Sequence, residues 1–157
     1  MAVFKSLLYL SFEAGLFALY IPLTLLRTGL KIDTGVISFL AIPFWLLGDW
    51  MVLRCFRDFT MRGRGTPLPA DPPRELVVSG FYRYVQYPIY VGVLLIFIGH
   101  FLWFGYWALL IYTIVSYAVF HAYVVYYEAP NLKRKFRKPY EEYLERVSRW
   151  IPNFPKD

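Results

Sequence analysis

The feature that most constrains this chain is a stretch of forty residues, 88–127, that contains no lysine, arginine, aspartate or glutamate. A helix needs about twenty apolar residues to cross a membrane. Forty residues are therefore too many for one crossing and enough for two. Phe104 and Gly105 form the natural turn between them, and Pro88 suits the first turn of a helix. We expect two spans, over about 88–104 and 106–127.

Two more apolar segments precede this stretch, at about 6–26 and 35–53. The chain has 157 residues, of which 58% are hydrophobic, so an ordinary soluble domain is not expected. Lys5 is the only early charge and no small-residue cleavage motif follows it, so we expect no cleavable signal peptide. The sequence predicts an all-α membrane protein with about four transmembrane helices, forming a single domain over 1–157.

Basic residues concentrate in two segments, the loop 54–87 and the tail 128–157. Four spans would put both segments on one side of the membrane. Short loops rich in lysine and arginine stay in the cytoplasm, so we expect the loop and the tail to be cytoplasmic. The net charge of +6 then reflects contact with membrane lipids, and no nucleic-acid partner is expected.

The loop and the tail also carry two polar blocks that would lie on the same face. Residues 63–73 are rich in glycine and proline, which predicts an extended segment. Apolar residues recur at three- and four-residue steps over about 131–147, which predicts an amphipathic helix. Asn131 is a plausible N-cap, and Pro139 should break or bend that helix.

Glu128 is the main candidate for chemistry, because it follows the last span directly. At a regular α-helical pitch Tyr117, His121 and Glu128 share one face. Glu128 is either a solvated carboxylate that ends a polar stripe or a partner for a cationic group of a ligand. His121 is either a packing residue or a general base.

Other polar and aromatic residues have competing interpretations. Glu13 and Asp49 lie within predicted spans, where acids are functional candidates by default. Asp49 could instead pair with Arg54 or lie at the mouth of the helix bundle. The single cysteine, Cys55, is expected to be a small buried or lipid-facing residue, and His100 to be structural; no cluster has metal-ligand spacing. A group of rings predicts either an interfacial belt or a cage for a cation: Phe81, Tyr82, Tyr84, Tyr87 and Tyr90.

The two polar blocks together resemble the isoprenylcysteine carboxyl methyltransferase and phospholipid methyltransferase family of integral-membrane enzymes, in its bacterial form. The first block contributes Gly63–Pro69, Leu76–Val85, Pro88, Tyr90 and Gly92. The second contributes Glu128, Pro130, Leu132, Phe136, Tyr140, Tyr143, Val147 and Arg149–Pro152. The resemblance covers about residues 63–152.

The resemblance implies a methyltransferase that uses S-adenosylmethionine, bound at the cytosolic ends of the last spans. The acceptor would be a lipophilic or small membrane-soluble molecule that enters from the lipid. The family's donor contacts fall here on Arg74, Glu75, Leu76, Val77, Tyr82, Tyr87, Pro88, Ile89, Tyr90 and Glu128. His121 is the candidate base where the acceptor needs one.

The chain departs from the family pattern at four places. Gln86 and Tyr87 replace an arginine followed by histidine or asparagine, Ala129 replaces a second glutamate, and Arg137 replaces a glycine. The eukaryotic carboxyl methyltransferases carry an arginine where this chain has Val124, which argues against a prenylcysteine carboxylate as acceptor. Two other functions stay open: a non-catalytic membrane protein that binds lipid or a protein partner, and a small transporter or channel subunit that uses Glu13 and Asp49.

Overall fold

The computed structural model describes residues 14–26, 29–61 and 75–153. Within these ranges every regular element is a helix, and the only sheet-like pairings are isolated bridges between Lys31 and Tyr106 and between Val85 and Ser148. The all-α prediction is therefore confirmed for the described residues. Part of the predicted first span, including Glu13, lies outside them, as do the loop residues 62–74 with Arg74.

The described N-terminal part is helical. A π-helical segment, Ala14–Tyr20, continues into α1, Ile21–Leu25, which has a proline, Pro22, in its first turn. After the gap, a 3-10 helix at Gly35–Leu40 leads directly into α2, Ala41–Met61.

The helix that contains the predicted second span continues past residue 53. The basic residues from Arg54 onward were interpreted as part of a loop, but α2 continues to Met61. Arg54 and Asp58 are one helical turn apart and their charged groups lie 3.9 Å from each other. Cys55 and Asp58 are both buried, so the last turns of α2 have a packing partner that keeps them helical.

The uncharged stretch forms the predicted helical hairpin. Its first helix, α3, is Pro88–Phe104, and its second, α4, is Trp107–Tyr123. Gly105 adopts a φ of 72°, and a Cβ there would lie 2.3 Å from the carbonyl oxygen of Ile32. Only glycine suits this conformation and this close approach, so the turn was predicted at the correct residue.

The second helix of the hairpin does not end at residue 127. It continues through a π-helical turn, Val124–Glu128, into α5, Ala129–Phe136. Asn131 is therefore not an N-cap. It lies inside α5, where its Oδ1 accepts a hydrogen bond of 2.7 Å from Nη2 of Arg134.

The amphipathic tail consists of two helices, because α6 occupies Lys138–Arg146. The predicted break near Pro139 occurs two residues earlier, at Arg137, whose φ is 47° and ψ is −123°. Pro139 itself lies in the first turn of α6, where its missing N–H costs no helical hydrogen bond.

Among the residues that the structure describes, two continuous helical stretches, Gly35–Phe59 and Trp107–Phe136, are long and apolar enough to cross a membrane. Two others are apolar but shorter, Gly15–Leu25 and Pro88–Phe104.

The described residues form two compact units. The first contains the chain up to Trp50 together with Gly92–Ala118. In it, Gly48 of α2 lies against α3, where a Cβ on Gly48 would be 2.6 Å from the carbonyl oxygen of Gly92. Small residues at such a contact let two helices approach closely.

The second unit contains Met51–Val91 and the chain from Val119 onward. It has two hydrophobic clusters. One consists of Cys55, Val77 and Tyr82, with Phe59, Phe81 and Ile89 packed against them. The other consists of Tyr140, Tyr143 and Val147, with Leu76, Leu132, Phe136 and Leu144 around them. The single domain over 1–157 stays a prediction.

Candidate functional site

The second unit brings the segment before α3 into contact with the end of the tail. The backbone N–H of Gln86 donates to the carbonyl of Ser148 at 3.0 Å, and that of Asn153 donates to the carbonyl of Tyr84 at 2.9 Å. The side-chain amide of Gln86 donates to the carbonyl of Val147 at 2.5 Å. The two polar blocks therefore contact each other directly, through backbone groups more than sixty residues apart.

Buried tyrosines hold this contact in place. The hydroxyl of Tyr143 donates to the carbonyl of Tyr82 at 2.8 Å, and the hydroxyls of Tyr87 and Tyr140 lie 3.1 Å apart. Burial raises the pKa of all four tyrosines above the ordinary value. Their hydroxyls are therefore neutral at physiological pH and serve as hydrogen-bonding groups.

Glu128 lies at the end of the π-helical turn. The hydroxyl of Tyr90 donates to Oε2 of Glu128 at 2.8 Å, and both residues are half-buried. A hydrogen bond from a neutral hydroxyl orients a carboxylate without neutralising its charge. Single π-helical turns inside α-helices are frequent at functional sites.

Aromatic rings lie around Tyr90. The ring centroid of Tyr90 lies 5.0 Å from that of Phe120 and 6.5 Å from that of Trp150. Tyr87 lies 6.1 Å from Tyr90 and 6.0 Å from Trp150. Of the five rings predicted as a belt or cage, the structure places Tyr87 and Tyr90 in this group. Phe120 and Trp150 were missed as members, because their proximity depends on the tail folding back.

Two of the predicted rings lie elsewhere in the unit. Tyr82 is buried in the Cys55 cluster, with its ring centroid 5.4 Å from that of Phe59, and Phe81 packs against the same cluster.

His121 makes a specific contact that the sequence did not predict. Nε1 of Trp150 donates to Nδ1 of His121 at 3.1 Å, and the two ring centroids are 5.9 Å apart. Because Nδ1 accepts this hydrogen bond, the neutral ring carries its proton on Nε2. The face-sharing argument for His121 and Glu128 assumed a regular α-helical pitch, which the π-helical turn at Val124–Glu128 interrupts.

The remaining residues predicted to contact the methyl donor are either packed in a cluster or exposed to solvent. Val77 is buried and Ile89 packs against it in the Cys55 cluster, whereas Leu76 packs against the tail cluster. Pro88 is fully buried at the start of α3, and Glu75 is exposed. The structure thus brings Tyr87, Tyr90 and Glu128 to one place and uses Val77, Tyr82 and Ile89 in a neighbouring cluster.

Asp58 is a buried acid that sequence reasoning missed. Its exposed fraction is 3%, and within the described part of the chain its Oδ2 has no hydrogen-bond partner. A Cβ on Gly80, whose φ is 64°, would lie 2.4 Å from this oxygen, so glycine leaves room for the carboxylate. The spacing of Arg54 and Asp58, one helical turn apart, was the signal that could have extended α2 and revealed this residue.

The other candidates have simpler structural roles. Asp49 is exposed, and the pairing considered for it with Arg54 was wrong, because Arg54 lies beside Asp58. Cys55 is fully buried, as expected. His100 is structural, since its Nδ1 lies 2.7 Å from the carbonyl oxygen of Ile96 and its ring packs on Trp45. Among the described residues no group of three metal-ligating side chains comes together.

Comparison with known proteins identifies the family to which this arrangement belongs. No curated protein matches the chain. The family model for phospholipid methyltransferase matches residues 18–139, which include Tyr90, His121 and Glu128. That match covers well over half of the sequence and agrees with the family predicted from the two polar blocks. The chain therefore belongs to the phospholipid methyltransferase family, a family of membrane-associated methyltransferases that act on lipids.

Proposed function

We propose that this protein transfers a methyl group from S-adenosylmethionine to a lipophilic or membrane-associated acceptor. The observation that carries the proposal is the hydrogen bond between Tyr90 and Glu128, formed where the two polar blocks meet and enclosed by aromatic rings. It joins two residues that lie 38 positions apart in sequence and that belong to the family's two separate motifs.

The residues of the second unit fit this donor. S-adenosylmethionine supplies, when bound, a methyl group on a positively charged sulfur, and it also carries an ammonium group and hydroxyls. The unit offers the carboxylate of Glu128 and two buried oxygens without hydrogen-bond partners among the described residues, Oδ2 of Asp58 and Oε1 of Gln86. Unsatisfied buried acceptors cost free energy, and a ligand with several donors would offset that cost.

Glu128 is the residue that we assign to the donor's ammonium group. Tyr90 orients the carboxylate and excludes water from one side of it, which strengthens the charge interaction. Tyr87 and Trp150 add ring faces that attract a cation. The remaining contacts proposed from the family pattern are those of Arg74, Glu75, Leu76, Val77, Tyr82, Pro88 and Ile89.

We propose a positioning role for His121. Its Nδ1 accepts the hydrogen bond from Trp150, and Trp150 packs on Tyr87 and Tyr90. For His121 to act as the base at this nitrogen, that hydrogen bond would have to break. Methyl transfer to an acceptor that is already nucleophilic needs alignment and exclusion of water more than it needs a base.

We propose that the group that accepts the methyl is not a carboxylate. Val124 stands where the eukaryotic carboxyl methyltransferases carry an arginine, and it is fully buried. A carboxylate brought to this place would meet an apolar side chain instead of an arginine. Burying an unpaired charge is costly, so Val124 disfavours a carboxylate acceptor.

Binding of the donor is the test of the proposal. Calorimetry would measure the affinity of the purified protein, in detergent and in lipid, for S-adenosylmethionine and S-adenosylhomocysteine. Losing a hydrogen bond to a charged group costs about 1.5–3 kcal/mol, so we expect Glu128→Gln to weaken binding roughly 10- to 100-fold. Tyr90→Phe should cause a smaller loss, about tenfold or less, because a neutral hydrogen bond contributes less.

Glu142→Gln is the matched control, because Glu142 is exposed on α6 and its substitution changes the charge equally. Unchanged donor affinity in Glu128→Gln would remove this residue from the site. If the folded wild-type protein bound neither molecule in lipid, the non-catalytic alternative would replace the proposal.

We also propose four membrane spans, with the segment 54–87, which includes the end of α2, and the tail in the cytoplasm. The two long apolar stretches and the two shorter ones support the number of spans, and the basic tail supports the orientation. Cys55 is fully buried, so a new surface cysteine can be labelled over a low background. A membrane-impermeant maleimide should label Glu142→Cys only from the cytoplasmic side and Leu30→Cys only from the opposite side. Labelling of both from the same side would contradict this topology.

A further inference from the structure

A shallow, open cavity lined mainly by basic residues lies between the two tail helices, and its lining begins at Pro130, two residues after Glu128. It has a volume of about 500 Å³ and is lined by Pro130, Lys133, Arg134, Arg137, Lys138 and Glu141. The only acid in this lining, Glu141, lies 3.0 Å from Nζ of Lys133. That ion pair joins α5 to α6 and leaves three cationic side chains around the cavity with no acid to balance them within its lining.

The fold of the tail turns these cations outward. Leu132 and Phe136 of α5 pack against Tyr140, Tyr143 and Val147, so the apolar face of the helix is occupied. The four basic residues that line the cavity are all exposed. Arg137 contributes to this arrangement by ending α5, which lets α6 start in a new direction.

The position of the cavity along the helix places it at the depth of lipid headgroups. α5 ends the continuous helical stretch Trp107–Phe136, which is apolar enough to cross a membrane. Tyr126 and Tyr127 have exposed fractions of 83% and 52%, and exposed tyrosines of this kind mark the boundary between lipid and water. Lys133 lies six residues further along, which is about 9 Å at 1.5 Å per residue. The headgroup layer is about 5–8 Å thick on each side of a bilayer, so the backbone of Lys133 lies just beyond its outer edge, and long basic side chains there reach back towards the phosphates.

We propose that the cavity between α5 and α6 binds the phosphate of an anionic phospholipid at the membrane surface. The guanidinium groups of Arg134 and Arg137 offer paired donors that match phosphate oxygens, and Lys138 adds a compact positive charge. A lipid is the ligand expected at this depth, because its phosphate is held next to the cavity at high local concentration. The proposal does not rest on the proposed methyl-transfer function.

Lipid retention by the delipidated protein tests the proposal. Native mass spectrometry would measure binding of phosphatidylglycerol and phosphatidylcholine with identical acyl chains. We expect the wild-type protein to prefer phosphatidylglycerol, and Arg134→Gln/Lys138→Gln to lose that preference by roughly tenfold or more, since each basic residue near an anionic lipid surface contributes appreciably. Lys138→Gln alone, at an exposed position, should show a smaller loss in the same direction.

The control removes the same charge from the same two helices. Lys135→Gln/Arg146→Gln changes two exposed basic residues that do not line the cavity, and it should keep the preference for phosphatidylglycerol. Equal losses in the two double variants would mean that only the overall charge matters and would overturn the proposed site. Competition by glycerol 3-phosphate at concentrations equal to the lipid would show a free phosphate site and would overturn the assignment to a lipid.

Discussion

At the scale of single residues, Arg137 has a backbone conformation that its side chain disfavours. Its φ of 47° and ψ of −123° belong to a region that glycine adopts readily and other residues rarely do. The resemblance described above places a glycine at this position in the family pattern, and the backbone of Arg137 has a conformation that favours glycine. The tail helices therefore separate at Arg137 under strain.

We expect Arg137→Gly to stabilise the protein. The strain at such a residue costs about 1–3 kcal/mol, and part of the gain is offset because glycine is more flexible when unfolded. The expected net increase in the free energy of unfolding is about 1 kcal/mol, measured by thermal or denaturant unfolding in detergent. Arg134→Gly is the control, because it places glycine inside α5 and should lower stability by about 1 kcal/mol. A lower stability for Arg137→Gly would contradict the strained conformation.

At the scale of the elements, close approach between helices depends on glycines at matched positions. In the first unit Gly48 of α2 faces Gly92 and Ile96 of α3, and a Cβ on Gly99 would lie 2.5 Å from the ring of Trp45. In the second unit Gly80 makes room for Asp58. At Gly48 the nearest obstacle is a backbone oxygen, which a change of rotamer cannot move, so a larger side chain there forces the two helices apart.

We expect Gly48→Ala to destabilise the protein. The new methyl group would lie 2.6 Å from the carbonyl oxygen of Gly92 and 2.8 Å from Cγ1 of Ile96, so the helices must move apart. Overpacking of this kind costs about 1–3 kcal/mol, and the midpoint of thermal unfolding should fall accordingly. Gly15→Ala is the matched substitution, since no atom lies within 4 Å of a Cβ there, and it should leave the midpoint nearly unchanged. Equal midpoints for the two variants would be evidence against close packing at Gly48.

At the scale of the whole molecule, folding keeps four tyrosine hydroxyls away from water. Burial raises the pKa of Tyr82, Tyr87, Tyr140 and Tyr143 above their ordinary value of 10.0. In the unfolded chain these groups ionise near pH 10, whereas in the folded chain they stay protonated. The stability that they contribute is therefore fully present below pH 10 and is lost as the pH rises towards the folded pKa values.

We expect the unfolding temperature to be steady between pH 8 and pH 9 and to fall above pH 10. The double variant Tyr87→Phe/Tyr140→Phe removes two of the four hydroxyls together, so neither partner is left unsatisfied, and its decline should be shallower. Tyr126→Phe/Tyr127→Phe removes two exposed hydroxyls and should follow the wild-type curve. Identical curves for all three proteins would show that the buried tyrosines do not control stability in alkali.

The helix predictions succeeded where the sequence signal acts over a few neighbouring residues. The bounds predicted for the first helix of the hairpin agree with α3, because the length of an apolar stretch, a proline at its start and a glycine at its turn all act within a few residues. Helix α2 continues beyond the end predicted for the second span, and the N-cap predicted at Asn131 was wrong. The two differences have one reason. In both places the onset of charge was interpreted as the end of a helix, although charged residues continue a helix when one of its faces is buried.

The sequence by itself determined the helical class, the hairpin turn at Gly105 and the family, since each depends on short-range patterns that the chain shows directly. Only the tertiary structure decided which side chains meet: Tyr90 with Glu128, Trp150 with His121, and Asp58 with the space beside Gly80. These contacts join residues 22 to 38 positions apart, and no local preference specifies them. They arise because the two hydrophobic clusters of the second unit, one around Cys55 and one around Tyr140, become buried. Burying them brings the segment before α3 and the end of the tail together.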